Sequence, residues 1–210
     1  VSMVTLCYLR RFLHFFRDIF ADSSREEVEI SAELRIFFNG VAETLGKYEH
    51  LLSGPINDHD RWLILSGLGQ AGSAYREKIY EQTFSGEKKS ISLQDLRHFS
   101  DLALRYLEHS IAANERPDHL YHAYNLMTLE GEKGVSISHL SEMLEGQVAV
   151  LSSGYLSSEQ ALKVLDALKN SKLFRKDQYS YLLYPDKDLP RLMEKNNIPQ
   201  TAVHSSEQLQ

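Results

Sequence analysis

Apolar residues recur along most of this chain at three- and four-residue spacing, the period of helices that bury one face. Residues 3 to 21 place Leu6, Leu9, Leu13, Phe16 and Phe20 on one side and predict a first helix. Ser23 and Ser24 follow, with Glu26 and Glu27 three positions after each. In that spacing a hydroxyl takes a free backbone N–H and a carboxylate reaches back, so a second helix is predicted from Ser24 to Leu52. Ile30, Leu34, Phe37, Phe38, Val41, Leu45, Tyr48 and Leu52 form its stripe, and Ser53-Gly54-Pro55 ends it. A third helix, Asp60 to Gln82, turns Trp62, Leu65, Leu68, Tyr75 and Ile79 inward but contains Gly67, Gly69 and Gly72. Each glycine costs about 1 kcal/mol against alanine in a helix, so either the helix breaks there or another helix crosses closely.

Beyond a polar turn at 84–90, Ser92 with Asp95 caps a fourth helix, Leu93 to Asn114, with Leu96, Phe99, Ala103, Tyr106, Leu107 and Ile111 inward. A loop covers 115–135. A fifth helix is predicted from Ser138 to Leu151, stopped by Ser152-Ser153-Gly154. Ser157 with Gln160 caps a sixth, to Asn170, with Leu162, Leu165 and Leu168 as its buried stripe. Asp177 to Tyr184 fits a helical turn or a short strand, and Asp188 to Asn196 a last short helix. Ser90–Leu93 and Val135–Ile137 offer a competing small ribbon. The fold class expected is all-α, built of antiparallel helical hairpins: helices one with two, three with four, five with six. Residues 1–199 form a single helical domain in this reading, and 200–210 a polar, disordered tail.

Composition narrows the function classes. A net charge of -6 argues against a nucleic-acid surface, which needs clustered Lys and Arg; Arg10-Arg11 and Lys88-Lys89 are short and expected to be solvated. The single cysteine, Cys7, excludes an internal disulfide framework and a thiolate metal cluster, and is compatible with a reducing, cytoplasmic setting. No apolar run approaches about 18 residues, so no membrane span is expected. The apolar start is interrupted by Arg10, Arg11, His14 and Arg17, unlike a signal peptide. The chain starts at Val1 and ends on a polar run, and it reads as a piece of a longer protein.

The densest gathering of polar and aromatic residues lies between Asn114 and Gly154. Arg116, Asp118, Tyr121, His122, Tyr124 and Asn125 fall in the loop, and Glu145 and Gln147 in the helix after it. These eight are the candidate ligand contacts. Asp118, Glu142 and Glu145 raise acid–base chemistry, which for glycosides needs two carboxyls about 5–10 Å apart. The plainer role of Glu145 is an ion pair, with Arg116 as its expected partner. Tyr121, Tyr124, Tyr179, Tyr181 and Tyr184 suit either sugar stacking or core filling. His119 with His122 lacks a third metal ligand, so neither a metal nor a cofactor is expected. Gly67-Leu68-Gly69-Gln70-Ala71-Gly72 is a literal G-x-G-x-x-G, but no parallel strand or later acidic residue supplies its nucleotide-binding context, and close helix packing explains it better.

The stretches SGEKKSISLQDLRHF, ANERPDHLYHAYNLM, LEGQVAVLSSG and DQYSYLLYPDKDLPRLMEKNNIP resemble a segment of very large bacterial proteins labelled cellobiose-phosphorylase-like, over about residues 75 to 199. The resemblance implies an (α/α) toroid of helical hairpins, a glycoside phosphorylase- or hydrolase-like setting and a saccharide as ligand. Two departures limit it. His119 stands where the family pattern has glycine, and the Trp-Asn-Asp context of the general acid is absent, since Trp62 is followed by Leu63. No catalytic residue is carried over. Three hairpins are half of a six-hairpin toroid, and such a half exposes an apolar edge for an adjoining domain or subunit. The alternative of another class is a non-catalytic scaffold that supports a neighbouring domain.

Overall fold

A computed structural model describes residues 2–131, 134–195 and 197–208. Residues 132 and 133 of the loop, 196 at the end of the expected last helix, and 209–210 of the tail lie outside the described residues. The chain is mainly helical, with 58% helix, but 14% of it is strand in small antiparallel ribbons, which corrects the all-α expectation.

Helix α1 spans Met3–Asp22, and the Ser2 hydroxyl caps it by accepting from Thr5 N–H at 3.1 Å. The next element is a strand. In Glu27–Ser31 (β1) Val28 and Ile30 alternate with glutamates, a period of two that outweighs the capping-box reading of Ser23 to Glu27. It pairs antiparallel with Lys88–Ser92 (β2), Val28 opposite Ile91. Each strand runs directly into a helix, α2 (Ala32–Lys47) and α4 (Leu93–Ala112). Ser31 and Ser92 cap them, accepting from Leu34 and Asp95 N–H. The ribbon satisfies further helix-start amides: Ala32 N–H donates to Glu87 O and Leu93 N–H to Glu26 O. Glu33, in the first turn of α2, is buried and accepts from Ser85 N–H at 2.9 Å; its bonds to Ser85 hold the carboxyl down at about 2.

A short 3-10 turn, Glu49–Ser53, folds α2 back onto α3, Asp58–Gln82. Helix α3 is continuous through the three glycines, which removes the nucleotide-loop reading of that stretch. The helix pairing differs from the expected hairpins: α1 lies along α4 and α5, and α2 lies along α3. The ribbon is the cause, because it carries the chain away from α1 before α2 begins.

After α4 the chain forms the 113–124 loop, then a second hairpin of Asn125–Leu129 (β3) with Val135–His139 (β4). Helix α5 is therefore only Leu144–Ser152, starting later than Ser138 because Val135, Ile137 and their neighbours pair as strand. Helix α6, Ser158–Asn170, has the predicted capping box from Ser157 and Gln160. Its buried stripe is Val164 and Leu168; Leu162 and Leu165 face solvent. Phe174–Arg175 (β5) and Ser180–Tyr181 (β6) pair briefly, and α7 (Leu192–Lys195) and α8 (Gln200–His204) are single turns with nothing buried.

The core sits where α1, the loop, α4, α5 and α6 meet. Cys7, Ile111, Tyr121, Ala149, Val150 and Val164 form one cluster, and Leu120, Leu168 and Leu173 a second. Arg10, expected to be solvated, is buried: its guanidinium grips Glu108 Oε1 at 2.6 and 2.9 Å and donates to Ser153 O at 2.8 Å.

Candidate functional site

The 114–125 loop leaves α4 through Asn114, whose buried amide bridges two elements. Its Nδ2 donates to Ser110 O at 2.7 Å, and its Oδ1 accepts from Asn125 Nδ2 at 2.7 Å. His139 Nδ1–H donates to Asn125 Oδ1 at 2.8 Å, so the second hairpin is tied to the same amide chain. Neither Asn114 nor His139 stands out in the sequence. An asparagine just past a helix end is common, and only the strand pairing of Asn125 with His139 brings the imidazole there.

The turn at 116–120 is built around Arg116. Its fork holds both oxygens of Asp118, Nε at 2.9 Å and Nη2 at 2.8 Å, while Nη1 lies 3.6 Å from Glu142. The guanidinium holds the Asp118 carboxyl below the usual carboxylate range, and the same hydrogen bonds push Arg116 up. His119 N–H donates to Arg116 O, and His119 adopts φ +63°, the left-handed conformation that glycine takes without steric cost. The turn keeps its shape with a histidine and accepts the strain.

Leu120 and Tyr121 then plunge into the core. Gln147 of α5, fully buried, replaces a neighbouring strand for Tyr121: Oε1 accepts its N–H and Nε2 donates to its C=O, both at 2.8 Å. The same Nε2 reaches Met143 O at 2.9 Å. This is why α5 presses so closely on the loop. A side-chain carbon on Gly146 would stand 2.9 Å from Ala123 Cβ, so only glycine fits. Burial pushes the Tyr121 hydroxyl up to about 12. Met3 N–H of α1 donates to Ala123 O at 2.9 Å, so the loop also closes the start of α1.

Two residues face outward. The Tyr124 hydroxyl donates to Glu145 Oε2 at 2.7 Å, which raises its pKa. Glu145 is exposed, and Arg116 is paired with Asp118 and Glu142, so the expected Arg116–Glu145 ion pair is not formed. The His122 ring stacks on His139, centroids 3.8 Å apart and planes 9° apart. Burial, then His139, lowers the His122 pKa, and its Nδ1 has no hydrogen-bond partner among the described residues.

The eight predicted residues thus fall into separate pairings: Arg116 with Asp118, Tyr121 with Gln147, Tyr124 with Glu145, His122 and Asn125 with His139. Their polar groups are largely spent on backbone and on one another. Cys7 is buried and pushed up to about 11, which removes it as a nucleophile. Among the described residues, no three His, Cys, Asp or Glu side chains gather as a metal site. No known protein family's sequence profile matches the chain, and no curated protein matches it.

Proposed function

We propose that this chain is a helical scaffold whose outer face seats an adjoining domain or subunit, with the 114–125 loop and α5 as its internal brace. One observation carries the reading. Tyr8, Phe12, Phe15 and Ile19 recur at four, three and four residues along α1, on the side away from the core, and Phe12 and Phe15 are 53% and 60% exposed. A helix apolar on both faces has two partners to satisfy, and α4 and α5 cover one face only. Among the described residues no helix is long and apolar enough to cross a membrane, so a bilayer core is not the second partner for a spanning α1.

The test is Phe12→Glu with Phe15→Glu. The double variant is expected to keep the wild-type circular dichroism and melting temperature while losing binding of a hydrophobic dye and any self-association. A variant that unfolds would put the stripe inside the core and end the reading.

The carbohydrate reading is favoured by a different observation: the Tyr124–Glu145 pair and the Arg116–Asp118 fork both reach solvent beside one loop. In that reading the chain contributes hairpins to an (α/α) toroid of a larger glycoside-processing protein, and Arg116, Asp118, Tyr124 and Glu145 contact a saccharide, while Tyr121, Asn125 and Gln147 are buried behind them and touch none. Millimolar saccharide would then shift the NMR signals of Arg116, Tyr124 and Glu145. Shifts confined to other residues count against it.

A further inference from the structure

The outer face of α1 has a two-fold pattern. Tyr8, Phe12, Phe15 and Ile19 follow one another at four, three and four residues, steps that are the same from either end. At 3.6 residues per turn the four lie within about 60° of one another and form a ridge about 16 Å long. The two flanks of the ridge differ. Arg11, Asp18 and Asp22 are exposed along one side, and Leu9, 45% exposed, lies on the other. Among the described residues Arg11 makes no hydrogen bond or ion pair. The Asp18 side chain is 59% exposed and holds its neighbours loosely, His14 at 3.3 Å and Arg17 at 3.5 Å.

A surface that repeats when reversed is one that a two-fold axis can set against itself. We propose that this chain forms a homodimer in which α1 packs antiparallel on α1 of a second copy. The proposal rests on the reading of this face as a docking surface, and it names the occupant. With the axis halfway along the ridge, Phe12 meets the partner's Phe15 and Tyr8 meets the partner's Ile19. Antiparallel packing also brings like flanks together, so Arg11 faces the partner's Asp18 on both sides of the axis. The two are offset by about 3 Å along the helix, within reach of an arginine side chain. The apolar flanks then face each other as well. A parallel pair would set each charged flank against the apolar one.

The area is that of a weak, specific dimer. Three half-exposed aromatic rings offer about 100 Å² each, and with Leu9 and Ile19 the apolar surface is about 450 Å² per copy. The pair buries about 900 Å² of it, and the flanking charged side chains carry the total past about 1,000 Å², the lower bound of a specific interface. The dissociation constant is expected in the micromolar range. A lipid surface suits the face less well. Helices that lie on anionic lipid line their polar edge with Lys and Arg, whereas this flank has one arginine against two aspartates.

The experiment is sedimentation velocity of the whole chain from about 1 to about 300 µM, spanning the expected constant. The mass is expected to rise with concentration from 24.1 kDa towards twice that value. Arg11→Asp and Asp18→Arg, both at exposed positions, are each expected to weaken the dimer about tenfold without altering the circular dichroism. Mixed in equal amounts the two variants are expected to regain at least the wild-type affinity, because one chain then carries an acidic flank and the other a basic one. Weakening without rescue in the mixture would overturn the antiparallel arrangement. A dimer that survives Phe12→Glu with Phe15→Glu would overturn it too. A wild type that stays monomeric across the range would overturn the dimer, as would co-sedimentation with anionic phosphatidylserine vesicles in place of self-association. The docking reading is judged separately: it survives a monomeric wild type if the folded double glutamate variant still loses the hydrophobic dye.

Discussion

The body made by α1, α4, α5, α6 and the 114–125 loop buries whole side chains, whereas α3, at 25 residues the longest helix, buries none fully. In the body, several buried polar groups are held by specific hydrogen bonds: Gln147 by the Tyr121 backbone, Arg10 by Glu108 and Ser153, Asn114 by Asn125. The α2–α3 pair relies on close backbone approach at Gly67, on Phe37 stacked with Tyr75 at 5.0 Å, and on links to α4 such as Phe38 with Phe99 and the Tyr106 hydroxyl donating to Leu45 O. A region held by buried hydrogen bonds punishes the loss of one group. A region held by shallow contacts tolerates rim changes and responds mainly to what alters helix spacing.

The sharpest test of that contrast pairs two glutamines. Gln147→Leu leaves the Tyr121 N–H and C=O buried without partners, at about 1–3 kcal/mol each, so a loss of about 4 kcal/mol in urea unfolding is expected. Gln70→Ala on the exposed α3 rim is expected to stay within about 0.5 kcal/mol of wild type. Similar losses in both would dissolve the distinction.

Two glycines probe the pair itself. Gly69 has nothing within 4 Å of an added side-chain carbon, so Gly69→Ala is expected to stabilise by about 1 kcal/mol through helix propensity. At Gly67 the same substitution meets Thr44, whose hydroxyl is pinned to Gly40 O at 2.8 Å. The overpacking outweighs the propensity gain, and a net loss of about 1 kcal/mol is expected. Thermal melts of the two variants should move in opposite directions.

Within the body, His119→Gly relieves the left-handed residue, at a modest cost from the greater freedom of the unfolded chain. A gain of about 0.5–1 kcal/mol is expected by denaturant titration. A loss would mean that the His119 side chain, near Glu115 at 3.4 Å, matters more than its backbone.

The last effect is a slope. Burial, His139 and Arg116 keep His122 neutral below the ordinary imidazole value of 6.5, against weaker opposing pulls from a hydrogen bond to the Leu140 backbone and from Asp118. The unfolded chain takes up that proton first, so stability is full above 6.5 and falls as pH drops towards the folded value. Urea midpoints of wild type should decline across that window, and His122→Phe should flatten the decline. Further down, Asp118 adds a second acid-side loss, because its stabilised carboxylate must protonate as pH falls below the ordinary carboxylate value of 3.8.

Much of the helical plan is readable in the residues themselves. Serines 92 and 157 cap where the hydroxyl spacing says they do, and α3, α4 and α6 run close to their predicted limits, because caps and period are local properties. The strands were harder to see. Glu27–Ser31 alternates for only five residues beside a strong helical stripe, and its partner lies 57 positions or more away in the chain. The candidate residues were legible as a cluster but not as pairings.

By itself the sequence determined the helices' existence, their caps and the concentration of polar side chains between Asn114 and Gly154. Periodicity and hydrogen-bonding capacity act over a few residues, and the order of amino acids states them directly. Only the tertiary structure decided that α1 lies on α4, that Arg10 and Gln147 are buried, that Arg116 takes Asp118 and not Glu145, and that α2 comes close to α3 at Gly67. Each of those outcomes depends on groups far apart in the chain competing for the same partner. Burial and distance, which no linear pattern encodes, select the winner.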